Sequence, residues 1–352
     1  MHPFEMTREL VDLESITENE KQVGEYLLHY LSGLAAGSGG SAEAMAVTPE
    51  RLNVYAEWGT PTVVLSTHMD TVPPFFASSE DAENIYGRGA CDAKGIIAAM
   101  IAAAEMLLER GTRNFALLFV VGEERNSAGA EVASRQPRGV RYLINGEPTE
   151  SKVALGSKGI LRYELIASGK MAHSAYPQLG DSAIEKLLDA LEAIRRISLP
   201  SDPVLGKTTL NIGTISGGRA PNIIPDAAKA ELAIRLVNDG SDVDRMLREA
   251  IGDRAELRKI LSLPAMHFAP LDGFPTSVVA FTTDIPVLAP SWGEPFLFGP
   301  GSIHVAHTTQ EKISKRELLA AVDTYARMTL TLLARAEAGA GAAENPPKQT
   351  HA

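Results

Sequence analysis

Acidic and imidazole side chains in this sequence recur just behind apolar, β-branched runs, where a chain leaving a buried strand can present them to a ligand. "TVVLSTHMD" delivers His68, with Asp70 two residues on, and "FALLFVVGEE" delivers Glu123 and Glu124. "YLINGEPT" delivers Glu147, and "PFLFGPGSIHVAHT" delivers His307. Asp92, in "YGRGACDAKG", opens a long helical stretch. In a parallel sheet such positions line the carboxyl edge of the strands, where ligands bind, and a helix that follows a strand opens toward that edge.

Two imidazoles and three carboxylates (His68, His307, Asp92, Glu124 and Glu147) are the donors needed by a pair of zinc ions about 3.5 to 4 Å apart that share one carboxylate. Cobalt is a possible substitute. Asp92 suits the shared place because glycines flank its loop and let the backbone approach. Asp70 is expected to accept the second ring N–H of His68 and fix its tautomer. The adjacent carboxylates of "GEE" point in different directions, so Glu124 is assigned to metal and Glu123 to general-base work. Taken singly, the acidic pair reads as a solvated turn and a strand-end histidine as a satisfied loop residue. Their convergence on one edge is what points to metal-assisted hydrolysis. His304, close before His307, is an alternative ligand. Cys91 has no histidine and acid arrangement around it and reads as a small buried thiol. Phosphate-loop and serine-elbow spacings are absent.

The elements that must position these groups fall into two textures. At 352 residues the chain is too long for one ordinary core, so two domains are expected. Up to about Gly159, short apolar runs alternate with helical patterns, as in βαβ units around a mostly parallel sheet. "AKGIIAAMIAAAEMLLERG" is apolar nearly all round and should be a buried helix. Residues 159–268 read instead as an inserted α+β domain, a four-stranded antiparallel sheet with two helices, suited to a lid or dimerisation role. One of those helices places Ile184, Leu187, Leu188, Leu191 and Ile194 on one face. The α/β texture then resumes and closes with a helix from Lys315 to about Arg335, capped by Ser314. The expected fold is thus a discontinuous α/β zinc-hydrolase domain (1–158 plus 269–336), the insertion, and a disordered Ala/Gly/Pro-rich tail over 337–352.

A net charge of −11 disfavours nucleic acid, and no apolar run is long enough to span a membrane. The single cysteine and the polar start suit a cytoplasmic address.

The segments "HMDTVP", "YGRGACDAKG", "GEE", "GEPT", "AHSAYP", "GGRAPNIIPDAA" and "AHT" occur in the order and approximate spacing of one family. They resemble the di-zinc metallopeptidase superfamily of aminoacylase, acetylornithine deacetylase, succinyl-diaminopimelate desuccinylase and glutamate carboxypeptidase, over nearly the whole chain. The resemblance implies that His68, Asp92 and Glu147 hold one zinc and His307, Asp92 and Glu124 the other. It implies Glu123 as base and a cis peptide bond after Asp92. It also implies a homodimer, paired through the inserted domain, in which His173 reaches a neighbouring active site and donates to the developing oxyanion. Asn222 and Arg235 match substrate contacts, and loops at Thr283 and Gly299 resemble substrate loops. The activity implied is removal of an acyl group, acetyl above all, from an N-acyl amino acid, as in the acetylornithine step of arginine biosynthesis. Desuccinylation or carboxypeptidase action on a short peptide is the alternative, and a catalytically silent metal-binding regulator the non-enzymatic one. Two departures stand out: the return "LDGFPTSVVAFTTD" is short, and Gly122 stands where many relatives carry an acid.

Overall fold

The computed structural model describes residues 1–344, with side chains described up to 339. It separates into two compact units, Met1–Ala154 with Phe268–Ser277 and Thr283 onward, and Leu155–His267 with Val278–Thr282.

The first unit is built on a six-stranded sheet. Its strands are β1 (Ser41–Thr48), β2 (Arg51–Trp58), β3 (Val63–His68), β4 (Phe115–Val120), β5 (Tyr142–Asn145) and the later strand Glu294–Leu297, in the order β1-β2-β4-β3-β5 and then Glu294–Leu297. β3 pairs parallel with β4 and β5, and Glu294–Leu297 parallel with β5, while β1 and β2 form an antiparallel edge. The apolar runs are continuous because both faces are covered. Val63, Leu65, Phe115, Leu117 and Phe119 join a core with the buried helix Lys94–Glu109. The intervening Val64, Ala116, Leu118 and Val120 pack on the other face with Leu288 and Trp292. Register aligns the strand ends: His68 lies opposite Val120, Ser66 opposite Asn145, and Leu297 opposite Asn145. The loops after these strands therefore leave from one edge.

The second unit has an antiparallel sheet of β6 (Gly159–Ser168), β7 (Thr209–Gly217), β8 (Ala227–Leu236) and β9 (Glu256–Leu263) in the order β7-β8-β6-β9. Alternate residues Leu161, Tyr163, Leu165 and Ala167 of β6 bury against the helices Ala183–Arg195 and Ser241–Ile251. The first of these helices starts at Ser182, whose hydroxyl accepts from Glu185 N at 3.3 Å. Its buried face is Ala183, Leu187, Ala190, Leu191 and Ile194; Leu188 is 48% exposed and lies off that face, contrary to the sequence reading. Small alanines, not the larger leucine, let the helix approach the sheet.

The boundaries differ from the expected ones. Residues 155–158 belong with the second unit, and so does the short return Val278–Thr282, while Phe268 belongs with the first. Hydrogen bonds to the main chain of Lys158 explain it: Lys158 N donates to Val279 O at 3.2 Å and Thr282 Oγ1 donates to Lys158 O at 3.1 Å. The closing helix runs from Lys315 to Glu344, past the expected end near Arg335. Its alanine-rich end has high helix propensity and meets no proline before Pro346. The expected disordered tail is thus helical over 337–344, and its remainder, 345–352, lies outside the described residues. Among the described residues no helix is long and apolar enough to cross a membrane.

Candidate metal centre

The loops leaving the carboxyl edge of the sheet bring His68, Asp92, Glu123, Glu124, Glu147 and His307 together. His68 ends β3 and is buried; its Nδ1 lies 3.0 Å from the Asp70 carbonyl oxygen. A carbonyl only accepts, so Nδ1 carries a proton, and Nε2 is the ring nitrogen turned toward the acids. That Nε2 lies 3.0 Å from Asp92 Oδ1 and 4.0 Å from Glu147 Oε1. The second carboxylate oxygen of Asp92 faces the other imidazole, with His307 Nε2 3.3 Å from Asp92 Oδ2 and 2.9 Å from Glu124 Oε1. Asp92 thus spans the two histidines through separate oxygens. The bond from Asp92 to Ala93 is cis.

The gathered donors suit a cation. Ligating atoms of His68, Asp92 and Glu124 lie within 4.8 Å of one another, and so do those of His68, Glu123 and Glu147. Burial raises the carboxyl groups of Glu123 and Glu147 well above their ordinary range; Glu147 adds to the effect on Glu123, and Asp92 and Glu124 to that on Glu147. Burial and the Asp92 charge raise Glu124 as well. Burial works against a charged His68, but Asp70, Asp92 and Glu147 outweigh it and raise its pKa well above the usual value. Bonds to Asp92 and Glu124 push His307 to about 10. Glu147 Oε1 is buried with no hydrogen-bond partner. An imidazole nitrogen facing carboxylates, an orphaned buried oxygen and crowded acids are what divalent cations would satisfy. The residues present therefore fit a pair of such ions.

Asp70 departs from its expected part. Its carboxylate lies 3.6 Å from His68 Nδ1, too far for a hydrogen bond, and acts on the ring through charge. The carboxylate instead accepts from Gly122 N at 2.9 Å, Glu123 N at 3.1 Å, Glu124 N at 3.2 Å and Thr17 Oγ1 at 2.8 Å. It holds the turn that carries the glutamate pair, and Gly122 meets that turn with a left-handed φ of 83°. His304 is exposed, its main-chain N–H donating to Ser302 Oγ at 3.3 Å; His307 is the histidine that meets the acids.

The residues expected to touch substrate are scattered. In the second unit, His173 is exposed on a two-residue strand opposite Ile223, which brings it beside the exposed Asn222. Its Nδ1 accepts from Ala175 N at 3.2 Å. Arg235 lies on β8, partly buried, and its Nη1 donates to Thr282 Oγ1 at 3.4 Å. Thr283 is buried, and its hydroxyl accepts from Ile285 N at 3.1 Å, starting the helix Ile285–Trp292. Thr282 and not Thr283 is the loop threonine beside Arg235. Gly299 is buried, its N–H donating to Thr149 Oγ1 at 3.0 Å, and a Cβ there would stand 2.3 Å from the Glu147 carbonyl oxygen. Its smallness serves the Glu147 loop. The sequence reading missed Asp284, a buried acid whose two carboxylate oxygens lack hydrogen-bond partners. Burial lifts its pKa to about 6. Its signal was an acid standing directly before an apolar helix.

The model of peptidase family M20/M25/M40 matches residues 64–331 of the chain. This chain belongs to that family. A Schizosaccharomyces pombe "Peptidase M20 domain-containing protein" is 39% identical over 336 residues, covering 92% of this chain and 83% of its own. A "Probable carboxypeptidase" of Aspergillus oryzae is 35% identical over 373 residues, covering 93% and 87%. Among solved structures, the M20 family metallo-carboxypeptidase of Sulfolobus solfataricus superposes with a TM-score of 0.76 at 18% identity, over 95% of this chain and 100% of that one. The M20 chain is a hydrolytic metallopeptidase with the family's fold, a mostly parallel catalytic sheet and a separate antiparallel sheet.

Proposed function

We propose that this metallopeptidase cleaves an amide whose leaving amine is an amino acid with a free carboxylate. The C-terminal bond of a short peptide and the acyl bond of an N-acyl amino acid share that chemistry. The carboxypeptidase names of its relatives support the first form, and Glu147 in "GEPT" supports either. An N-acetylated amino acid such as N-acetylornithine is the narrower substrate reading. The observation that carries the proposal is the reach of Asp92 to His68 through one oxygen and to His307 through the other.

In this reading His68, Asp92 and Glu147 would hold one divalent cation and His307, Asp92 and Glu124 a second, zinc being the proposed ion and cobalt a substitute. When bound, such ions lower the pKa of water and polarise the scissile carbonyl. Glu123 takes the proton of the attacking water and returns it to the leaving amine, acting as general base and then as general acid. Asp70 fixes the turn from which Glu123 projects. In the second unit we assign Arg235 to a substrate carboxylate, for which a guanidinium fork is suited, with Asn222 as a further contact. His173, exposed and bonded at Nδ1, keeps Nε2 for a donor role toward the substrate of a second copy. Pairing of two copies is part of the proposal. It is supported by β7, an outer strand of its sheet on which Ile215 is 57% exposed.

Replacing Glu123 by Gln tests the mechanism: both metals should be retained while turnover falls by about 10² or more. Turnover at the wild-type rate would overturn it. Acetyl, succinyl and peptide substrates assayed side by side on metal-reconstituted protein separate the substrate forms.

A further inference from the structure

The loop that brings Asp92 to the two histidines is held from behind by a buried acid outside the ligand set. Glu311 follows His307 in the segment "HTTQE" and is 0% exposed. Its Oε1 accepts from three main-chain groups of the Asp92 loop: Gly89 N at 2.9 Å, Asp92 N at 3.1 Å and Cys91 N at 3.2 Å. Its other oxygen accepts from the Arg88 guanidinium, itself buried, which also donates from Nε to Pro74 O at 3.2 Å. The Glu311 carbonyl oxygen accepts from Gly87 N at 3.2 Å, so side chain and main chain grip the same loop. Gly89 has a φ of 88°, a left-handed turn that lets N–H groups on either side of Ala90 converge on one oxygen. One short segment therefore carries His307 and the anchor of the residue that His307 faces.

We propose that Glu311 is a positioning residue for the metal pair: from the His307 loop it fixes the backbone of Asp92 so that each Asp92 oxygen meets a different imidazole. This rests on the reading of the site as a two-cation centre. The partner of a ligand that sits behind it sets the ligand's orientation, and losing such a partner typically costs about 10- to 100-fold in metal affinity. Arg88 has a separate part. It neutralises Glu311 but touches none of the three amides, so its loss leaves the grip on Asp92 in place.

The test is cobalt titration of metal-free wild type, E311Q, E311D and R88M, followed by the visible absorption of bound cobalt, with urea unfolding of each metal-free protein alongside. Gln keeps the volume but replaces one accepting oxygen with a donor. Asp keeps the charge but withdraws it by one methylene, so loss in E311D shows that reach matters as well as charge. Both should bind cobalt about 10- to 100-fold more weakly, with an altered absorption band, while R88M stays within about threefold of wild type. If E311Q does not fold, E311D carries the same expectation. Wild-type affinity and absorption in the Glu311 variants would overturn the proposal, and so would equal weakening in E311Q and R88M, the mark of a merely structural ion pair. If wild type itself takes up no cobalt, the two-cation reading fails and this inference falls with it.

Discussion

Replacing Asp70 by Asn separates two accounts of how the glutamate pair is held. The carboxylate accepts from three consecutive main-chain N–H groups, Gly122 to Glu124, and from Thr17 Oγ1. Asn must put an NH₂ where one oxygen was. At the Oδ1 position it would orphan both Gly122 N and Glu123 N. At Oδ2 it orphans only Glu124 N, because the Thr17 hydroxyl can rotate and accept. The second arrangement is cheaper. It leaves one buried donor unmet, at about 1 to 3 kcal/mol, and weakens the remaining bonds by removing their charge, for a total on the order of 3 kcal/mol. Urea unfolding of the metal-free proteins reads that loss, and turnover at saturating metal should fall about 10- to 100-fold as the turn loosens. Thr17→Val removes one donor and leaves the amide bonds intact, so it should cost about 1 kcal/mol and leave turnover near wild type. If Asp70 served chiefly to orient His68, D70N would weaken metal binding with the urea midpoint unmoved. An unmoved midpoint therefore refutes the assignment of Asp70 to the glutamate turn.

Two further outcomes are expected. Asp284 has a pKa raised from 3.8 to about 6, so the folded metal-free protein binds its proton more tightly than the unfolded chain does, and stability falls as pH rises through that interval. The loss amounts to on the order of 3 kcal/mol, and D284N should flatten that part of the stability–pH profile measured by urea unfolding from pH 4 to 8, whatever its effect at any single pH. Gly299→Ala places a methyl 2.3 Å from the Glu147 carbonyl oxygen and should destabilise by about 1 to 3 kcal/mol and weaken cobalt uptake; a higher KM alone, with metal uptake intact, would make Gly299 a substrate contact instead.

The catalytic sheet was legible because its strands are buried on both faces and so read as unbroken apolar runs. Val63–His68, Phe115–Val120 and Tyr142–Asn145 lie within the runs picked out in the sequence. The ligands were legible for the same reason: a polar residue at the end of such a run is conspicuous. The N-terminal helices Pro3–Asp12 and Lys21–Ser38 and the hairpin Ser41–Thr48 and Arg51–Trp58 went unremarked. Their apolar positions are interleaved with alanine, glycine and polar residues, and no chemistry drew the eye there. Proximity in sequence alone points Asp70 at His68. Its amide partners at Gly122–Glu124 become visible only when β3 and β4 are paired. Leu188 shows the limit of periodicity: hydropathy fixes a stripe, while side-chain volume decides which part of the stripe fits against a sheet.

The return segment Val278–Thr282 has a practical consequence for engineering by recombination. Transplanting residues 155–267 from a relative would leave the host's own five-residue piece against foreign residues at positions 158 and 235, which here are Lys158 and Arg235 and bond to it. A working chimera must exchange two separate stretches at once and keep 268–277 from the recipient.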